Sequence, residues 1–245
     1  MTRTRSIRAA GLSLALWGLL ALLLAGCEQP APTRPAPKGP GWDQSLYGKY
    51  SYDTFAHYDR ALERIELDAI DIPLLQAAVF YEINRQRAQD NVPVLMHSPV
   101  LERAAREHSR DMVELNFFSH ESSVAGKRTL AERLRALGVN GPVTENIATA
   151  FALEYEAGKP VFGPKENGEN YFSYSHRGPH IAVHSYLGFA RAAAQNLTMS
   201  APDKASVLSS EMRYLGTGAA AYKNKEFQGM DEFKVTLNFS QLPVR

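Results

Sequence analysis

Apolar positions recur at helical spacing in three stretches of the chain and at strand spacing in one. Leu75, Val79 and Ile83 fall at i, i+4 and i+8 with Leu74 and Ala78 beside them, which predicts one buried helix face over residues 73–89. Ser98 is a good N-cap and Pro99 suits the first helical position, so a second helix follows with a stripe of Leu101, Ala104, Ala105, His108, Met112 and Leu115. Thr129 and Glu132 have capping-box spacing for a third helix, which Gly138 ends. Pro179 can open a fourth, with Val183, Leu187, Ala190, Ala194 and Leu197 on one face. Phe233, Val235, Leu237 and Phe239 alternate strictly, so 233–240 reads as a strand, with Tyr214–Tyr222 as its antiparallel partner. Helices outside a small antiparallel sheet make an α+β layered domain.

Ahead of this domain the pattern changes twice. Arg3, Arg5 and Arg8 precede an almost wholly apolar run from Ala9 to Leu24, broken by Ser13. A basic start, an apolar stretch and small residues at a cleavage point are the layout of an export signal. The run is short for a membrane span, which wants about 20 residues. It ends in Leu24-Ala25-Gly26-Cys27 and resembles the lipoprotein form of the signal, in which the peptidase cuts before the cysteine and the sulfur carries a diacylglycerol. On this reading 1–26 is the signal and Cys27 the lipidation site, a membrane anchor. Glu28 follows where an inner-membrane lipoprotein tends to carry Asp, which favours the outer membrane if the source is Gram-negative.

Residues 27–47 then form a tether, because five prolines between Pro30 and Pro40 favour an extended spacer. Residues 48–72 are an aromatic-rich extension, read as packing its rings on the main domain rather than offering them to a ligand. The main domain is 73–245, with an insertion at about 158–180.

Composition narrows the function. Without residues 1–26 the chain keeps 24 cationic and 26 acidic side chains, a formal −2. No basic block follows the anchor, so nucleic acid is not an expected partner. Cys27 is the only cysteine, so packing rather than disulfides must hold the domain.

The candidate chemistry rests on histidines and acids. His108 sits on a core stripe and reads as a hydrogen-bonded core residue; His57 and His97 read as ordinary surface or loop residues. His120 closes Asn116-Phe117-Phe118-Ser119-His120 just past a helix end, and Glu145 lies in Thr144-Glu145-Asn146-Ile147-Ala148. An imidazole and a carboxylate brought together share a proton or bind a divalent metal. His176, His180 and His184 recur every four residues, and a helix from Pro179 would put His180 and His184 on one face at zinc-site spacing, without the glutamate of a metalloprotease helix. No Gly-x-Ser-x-Gly elbow and no phosphate-cradling glycine loop is present.

Taken in order, the stretch from Glu82 to His120, then TENIATA, YLGTGAA and KVTLNFSQ, resemble the CAP superfamily, the SCP-like or pathogenesis-related-1-like domains, in its bacterial exported branch. Asn84 and Arg87, the proline-containing link before the second helix, and the Phe-Ser-His ending carry the resemblance most specifically. It implies a three-layer α-β-α sandwich with a central antiparallel sheet and a surface cleft. It also implies a cleft lined by two histidines and two glutamates, which in some members bind a divalent metal, zinc or similar. His120 matches the first histidine and Glu145 the motif glutamate, with Thr144 in place of the motif glycine. Asp203 falls where the second histidine belongs, and Ser200 stands near the place of the second glutamate. The site expected from the sequence is therefore His120 and Glu145, with Asp203, His180 or His184 as further ligands. The 158–184 stretch is a lid, a cleft wall or a surface loop. The expected function is an envelope-anchored module binding a lipid, glycan or peptide. A divalent-metal-dependent hydrolase and a structural envelope protein are the alternatives.

Overall fold

The structure is a computed structural model, and it describes residues 41–167 and 170–243. Cys27, the stretch read as an export signal and the proline-rich part of the stretch read as a tether lie outside the described residues. Among those described, no helix is long and apolar enough to cross a membrane.

A short 3-10 turn (Gln44–Gly48) and two single-turn helices, α1 (Tyr52–Phe55) and α2 (Asp59–Leu62), precede α3 (Ile72–Gln89). Then come β1 (Met96–His97), α4 (Pro99–Glu114), α5 (Leu130–Arg135), β2 (Val143–Phe151), α6 (Pro164–Asn167), α7 (Tyr186–Leu197), α8 (Ala201–Val207), β3 (Tyr214–Asn224) and β4 (Met230–Ser240). The sheet order is β1-β3-β4-β2. The three long strands are antiparallel, and only the two-residue β1 runs parallel, against β3. Helix α4 packs on one face, while α3 and α7 pack together on the other. This is the three-layer α-β-α sandwich, with a sheet that one short edge strand makes mixed.

The capping signals act as the sequence predicts. Ser98 caps α4 with Pro99 in the first turn, and Thr129 and Glu132 form the capping box of α5. Gly138 takes φ +81°, the left-handed region that glycine enters at little cost. The fourth helix is a correction. It begins at Tyr186, not Pro179, because Ser185 accepts from the Gly188 N–H and caps it there. Residues 180–184 instead bridge to Ser173 and Leu153 as extended chain. His180 and His184 therefore share no helical face.

Strand β4 is buried on both faces. Its apolar phase faces α3 and α7, and its polar phase lies under α4. There Thr236 and Ser109 hydroxyls pair at 2.8 Å, and Lys234 donates to the Met112 and Phe117 carbonyls at 2.7 Å each. Close approach of α4 depends on β3 glycines. A Cβ on Gly216 would stand 1.9 Å from Glu102 N, and one on Gly218 2.1 Å from the Ala105 carbonyl carbon.

The extension joins the same core. Trp42, Tyr47 and Phe55 are buried with the residues of α3, and Trp42 meets the rings of Tyr47, Tyr50, Phe55, Tyr58 and Tyr81 within 6.0 Å. Packed structure thus starts by Trp42, inside the stretch read as spacer. Helix α3 is buried nearly all round because these rings cover its outer side. Asn84 and Arg87 staple the helix to the chain beyond it. Asn84 exchanges two hydrogen bonds with Leu95, and Arg87, fully buried, donates to the carbonyls of Pro93, Val207 and Ser209.

Candidate functional site

Glu145 is the third residue of β2, directly opposite Asn238 of β4, which is in turn opposite Gly216 of β3. These three mark one line across the sheet, on the face that α4 covers. The carboxylate is almost wholly buried, its side chain 3% exposed. Arg133 reaches it from α5, with a guanidinium nitrogen 2.6 Å from Oε2 and an equally buried side chain. In the orientation that satisfies its neighbours, the Asn238 amide donates to Oε2 at 3.2 Å and accepts from Ala105 N at 3.1 Å. His120 Nδ1 donates to Oε1 at 3.0 Å.

The imidazole itself is open to solvent, its side chain 58% exposed. With Nδ1 turned inward, Nε2 faces outward. The hydrogen bond to Glu145 raises the His120 pKa above its ordinary value, partly opposed by burial and supported by the negative charge of Asp203. Protonated, the ring presents an Nε2–H donor; neutral, it presents an Nε2 lone pair, because the carboxylate keeps the proton on Nδ1.

Arg133 also positions the loop that carries His120. Its other terminal nitrogen donates to the His120, Lys127 and Arg128 carbonyls at 3.1, 3.3 and 3.3 Å. Beneath, His108 is fully buried on α4 and donates from Nε2 to Ser119 O at 3.0 Å, with Glu145 Oε1 at 3.8 Å. Burial pushes its pKa down, so His108 is the neutral member of the group. Asn146, on the opposite face of β2, holds the carbonyls of Leu197 and Asp203 and so fixes the corner between α7 and α8.

The structure brings together His120 and Glu145 and sets Asp203 nearby. The Asp203 carboxylate accepts from the Ser200 hydroxyl, while its N–H donates back to Ser200 Oγ at 3.1 Å, a cap at the start of α8. His180 and His184 lie elsewhere. His184 N donates to the Ala152 carbonyl just beyond β2, seven residues and ~23 Å along the strand from Glu145. The insertion stays at that end: Gly163 N donates to the Gln228 side chain on the β3–β4 connection. It is not a lid over His120.

The retained groups do not fit a divalent metal. Both Glu145 oxygens are engaged, and the nearest charge to Oε2 is a guanidinium cation. Among the described residues, no three His, Cys, Asp or Glu side chains are grouped to hold an ion. Sequence reasoning missed Arg133, His108 as a neighbour of Glu145, and Asn238. Neither Arg133 nor Asn238 carries a local signal, since an arginine on a short helix and an asparagine in an alternating strand both occur commonly at exposed positions. His97 is a further correction: it is mostly buried, bonded to Glu102 at 2.7 Å and stacked on Tyr47 at 3.6 Å.

The family model of the cysteine-rich secretory protein (CAP) family matches residues 80–239, which spans α4, α5, the sheet and the whole His120 site. The chain belongs to the CAP family. This CAP protein has no match among curated protein sequences. Among solved structures it is similar to an extracellular protein containing an SCP domain from Bacillus anthracis, at 24% identity and TM-score 0.45, covering 69% of this chain and 40% of that one. An outer surface protein of Borrelia burgdorferi matches at 14% identity and TM-score 0.43, over 71% of this chain and 97% of that one. A cysteine-rich secretory protein of Staphylococcus aureus matches at 11% identity and TM-score 0.38, over 71% and 44%. The CAP protein thus spans less than half of the Bacillus and Staphylococcus chains. The family's name does not describe its composition, since Cys27 is its one cysteine.

Proposed function

We propose that this CAP protein is an exported, lipid-anchored binding module of the cell envelope, with its ligand docking on His120. The observation that carries this reading is the chain Arg133–Glu145–His120. A buried ion pair orients an exposed imidazole through Nδ1 and leaves Nε2 free to meet a ligand. The hydrogen bond to Glu145 shifts the ring toward its protonated form, whose Nε2–H suits a ligand acceptor such as a carboxylate, phosphate or amide carbonyl. Lipids, peptidoglycan peptides and envelope glycans all offer such groups.

Binding is favoured over hydrolysis because, among the described residues, no three His, Cys, Asp or Glu side chains group to hold an ion and no hydroxyl is hydrogen-bonded to the His120–Glu145 pair. The hydroxyls of Ser119 and Ser200 are engaged with Glu121 N and with Asp203. Cys27 supports envelope placement by its position after the apolar run, with the lipid as the membrane contact.

The test measures binding of the purified chain to soluble peptidoglycan fragments and to lipid vesicles, beside His120→Ala. One good charge-assisted hydrogen bond contributes about 1.5–3 kcal/mol, so the substitution should weaken binding by about tenfold or more. No binding to either class, or equal binding by His120→Ala, would overturn the reading. A companion variant, Cys27→Ala, should lose fatty-acid labelling in cells.

A further inference from the structure

Helix α4 is shorter than the sheet it covers. Its 16 residues span ~24 Å, whereas the 11 residues of β3 and of β4 span ~37 Å. The helix stops where Asn116 takes φ +52°, and the Asn116 and Phe117 N–H groups turn back to the Val113 and Met112 carbonyls. The Lys234 ammonium sits at that end, on the Met112 and Phe117 carbonyls, where a cation suits the helix dipole. Beyond it the sheet face opens into a cavity of about 800 Å³, walled by residues 116–118 and by the turn end of the β3–β4 hairpin. The volume is in the range of sites that hold small organic ligands.

Glu232 lines this cavity and is 5% exposed, a burial that a carboxylate tolerates only with partners. Its Oε2 accepts from the Tyr222 hydroxyl and the Asn224 amide. Oε1 has no hydrogen-bond partner among the described residues, yet it is not sealed from solvent. The half-buried Thr149 hydroxyl, on the neighbouring strand, has no such partner either. The wall adds Phe118, a ring left 50% exposed.

The charges around the cavity balance. Lys223, Lys225 and Lys234 stand against Glu226, Glu232 and Asp231, the last held by Lys223 at 2.6 Å. A ligand with net charge gains little there. Strand addition by a peptide is closed off beside the cavity, because the Thr149 carbonyl on edge strand β2 already accepts from Asn196. What remains is a neutral molecule that both donates and accepts hydrogen bonds and has an apolar face.

We propose that this cavity binds a saccharide. A sugar ring carries hydroxyls around its rim, each a donor and an acceptor, and C–H faces that pack on aromatic rings. One hydroxyl donates to Glu232 Oε1, a charge-assisted bond, and others exchange bonds with Thr149 and Asn116. Phe118 covers a C–H face. Thr149 is four residues and ~13 Å along β2 from Glu145, and neither His120 nor Glu145 lines the cavity. The inference therefore stands apart from the reading of His120.

A proton–nitrogen NMR titration of the full chain with an N-acetylglucosamine tetramer and with maltotetraose tests it. The backbone amides of Phe118, Thr149 and Glu232 should shift with at least one of the two. Phe118→Ala and Glu232→Gln should each weaken that binding about tenfold, and Thr149→Val about threefold. Leu62→Ser, an exposed apolar change elsewhere, should leave it unchanged. Gln at 232 keeps an oxygen for Tyr222 and Asn224, and Phe118 is half exposed, so both variants should melt near the parent temperature. That separates lost binding from lost structure. Failure of both oligosaccharides to bind overturns the proposal. So does binding that Phe118→Ala and Glu232→Gln leave intact; if His120→Ala abolishes that binding, the sugar docks at His120 and the reading of that site stands. A tetra-alanine peptide that shifts these amides where neither saccharide does assigns the cavity to a peptide and likewise overturns the proposal.

Discussion

Replacing Arg133 with Met removes a cation from a site that solvent barely reaches. Arg133 and Glu145 side chains are each 3% exposed and meet at 2.6 Å. The substitution leaves Glu145 with His120 and the Asn238 amide, and strips a shared donor from the His120, Lys127 and Arg128 carbonyls. Breaking a buried pair by removing one partner costs about 3–5 kcal/mol, mostly from the charge left behind. Against a total stability of about 5–15 kcal/mol, that is a large share. Urea unfolding should show the midpoint falling with an unchanged slope, and the melting temperature should drop by roughly 10 °C. Glu145→Gln should cost less, because the arginine can still donate to the amide oxygen. The double variant should recover part of the loss, a coupling of about 1–3 kcal/mol. If Arg133→Met loses under ~1 kcal/mol, as exposed pairs do, the ion pair is not the buried brace described, and the argument against a metal at Glu145 falls with it.

The two site histidines should drive pH dependence in opposite directions. The raised pKa of His120 adds stability that is full below the ordinary histidine pKa and is lost as pH rises through the folded value, whereas buried neutral His108 loses stability as pH falls through the ordinary value. Proton NMR titration of His120→Ala, His108→Gln and Glu145→Gln checks both signs, with Glu145→Gln lowering the His120 pKa; a parent His120 at or below its ordinary value refutes the assignment. Gly218→Ala should destabilise by about 1–3 kcal/mol or more as its Cβ meets α4 backbone, while Gly48→Ala, with open space around it, should change the melting temperature little. Trp42→Ala should cost about 3–5 kcal/mol if the extension is core, and near zero if it is spacer. Zinc added to the purified chain should not raise its melting temperature, since only an ion bound to the folded state stabilises it.

The layered fold was legible because its signals are local. Ser98-Pro99, the Thr129–Glu132 box and the Phe233–Phe239 alternation each specify an element without help from the rest of the chain. The fourth helix was misplaced because Pro179 and Ser185 both suit a helix start, and only bridges to Leu153 and Ser173 show that 180–184 is extended. The His120–Glu145 half of the site was reachable through the family motif. Arg133 and Asn238 were not, because their role depends on which faces α4 and α5 cover. Strict alternation in β4 does not tell an exposed face from a buried one, because a polar phase bonded under a helix has the same pattern. His97 escaped for a similar reason: its partners Tyr47 and Glu102 come from two other segments.

The central claim is that Glu145 holds His120 by Nδ1 so that Nε2 meets the ligand. A long-range proton–nitrogen spectrum of the histidines, recorded with and without a bound peptidoglycan fragment or lipid vesicle, tests it most directly. The account predicts that ligand shifts His120 Nε2 while Nδ1 keeps its proton and its bond to Glu145. An unchanged Nε2 in the presence of a bound ligand, or a ligand-free ring with its proton on Nε2 alone, would contradict it.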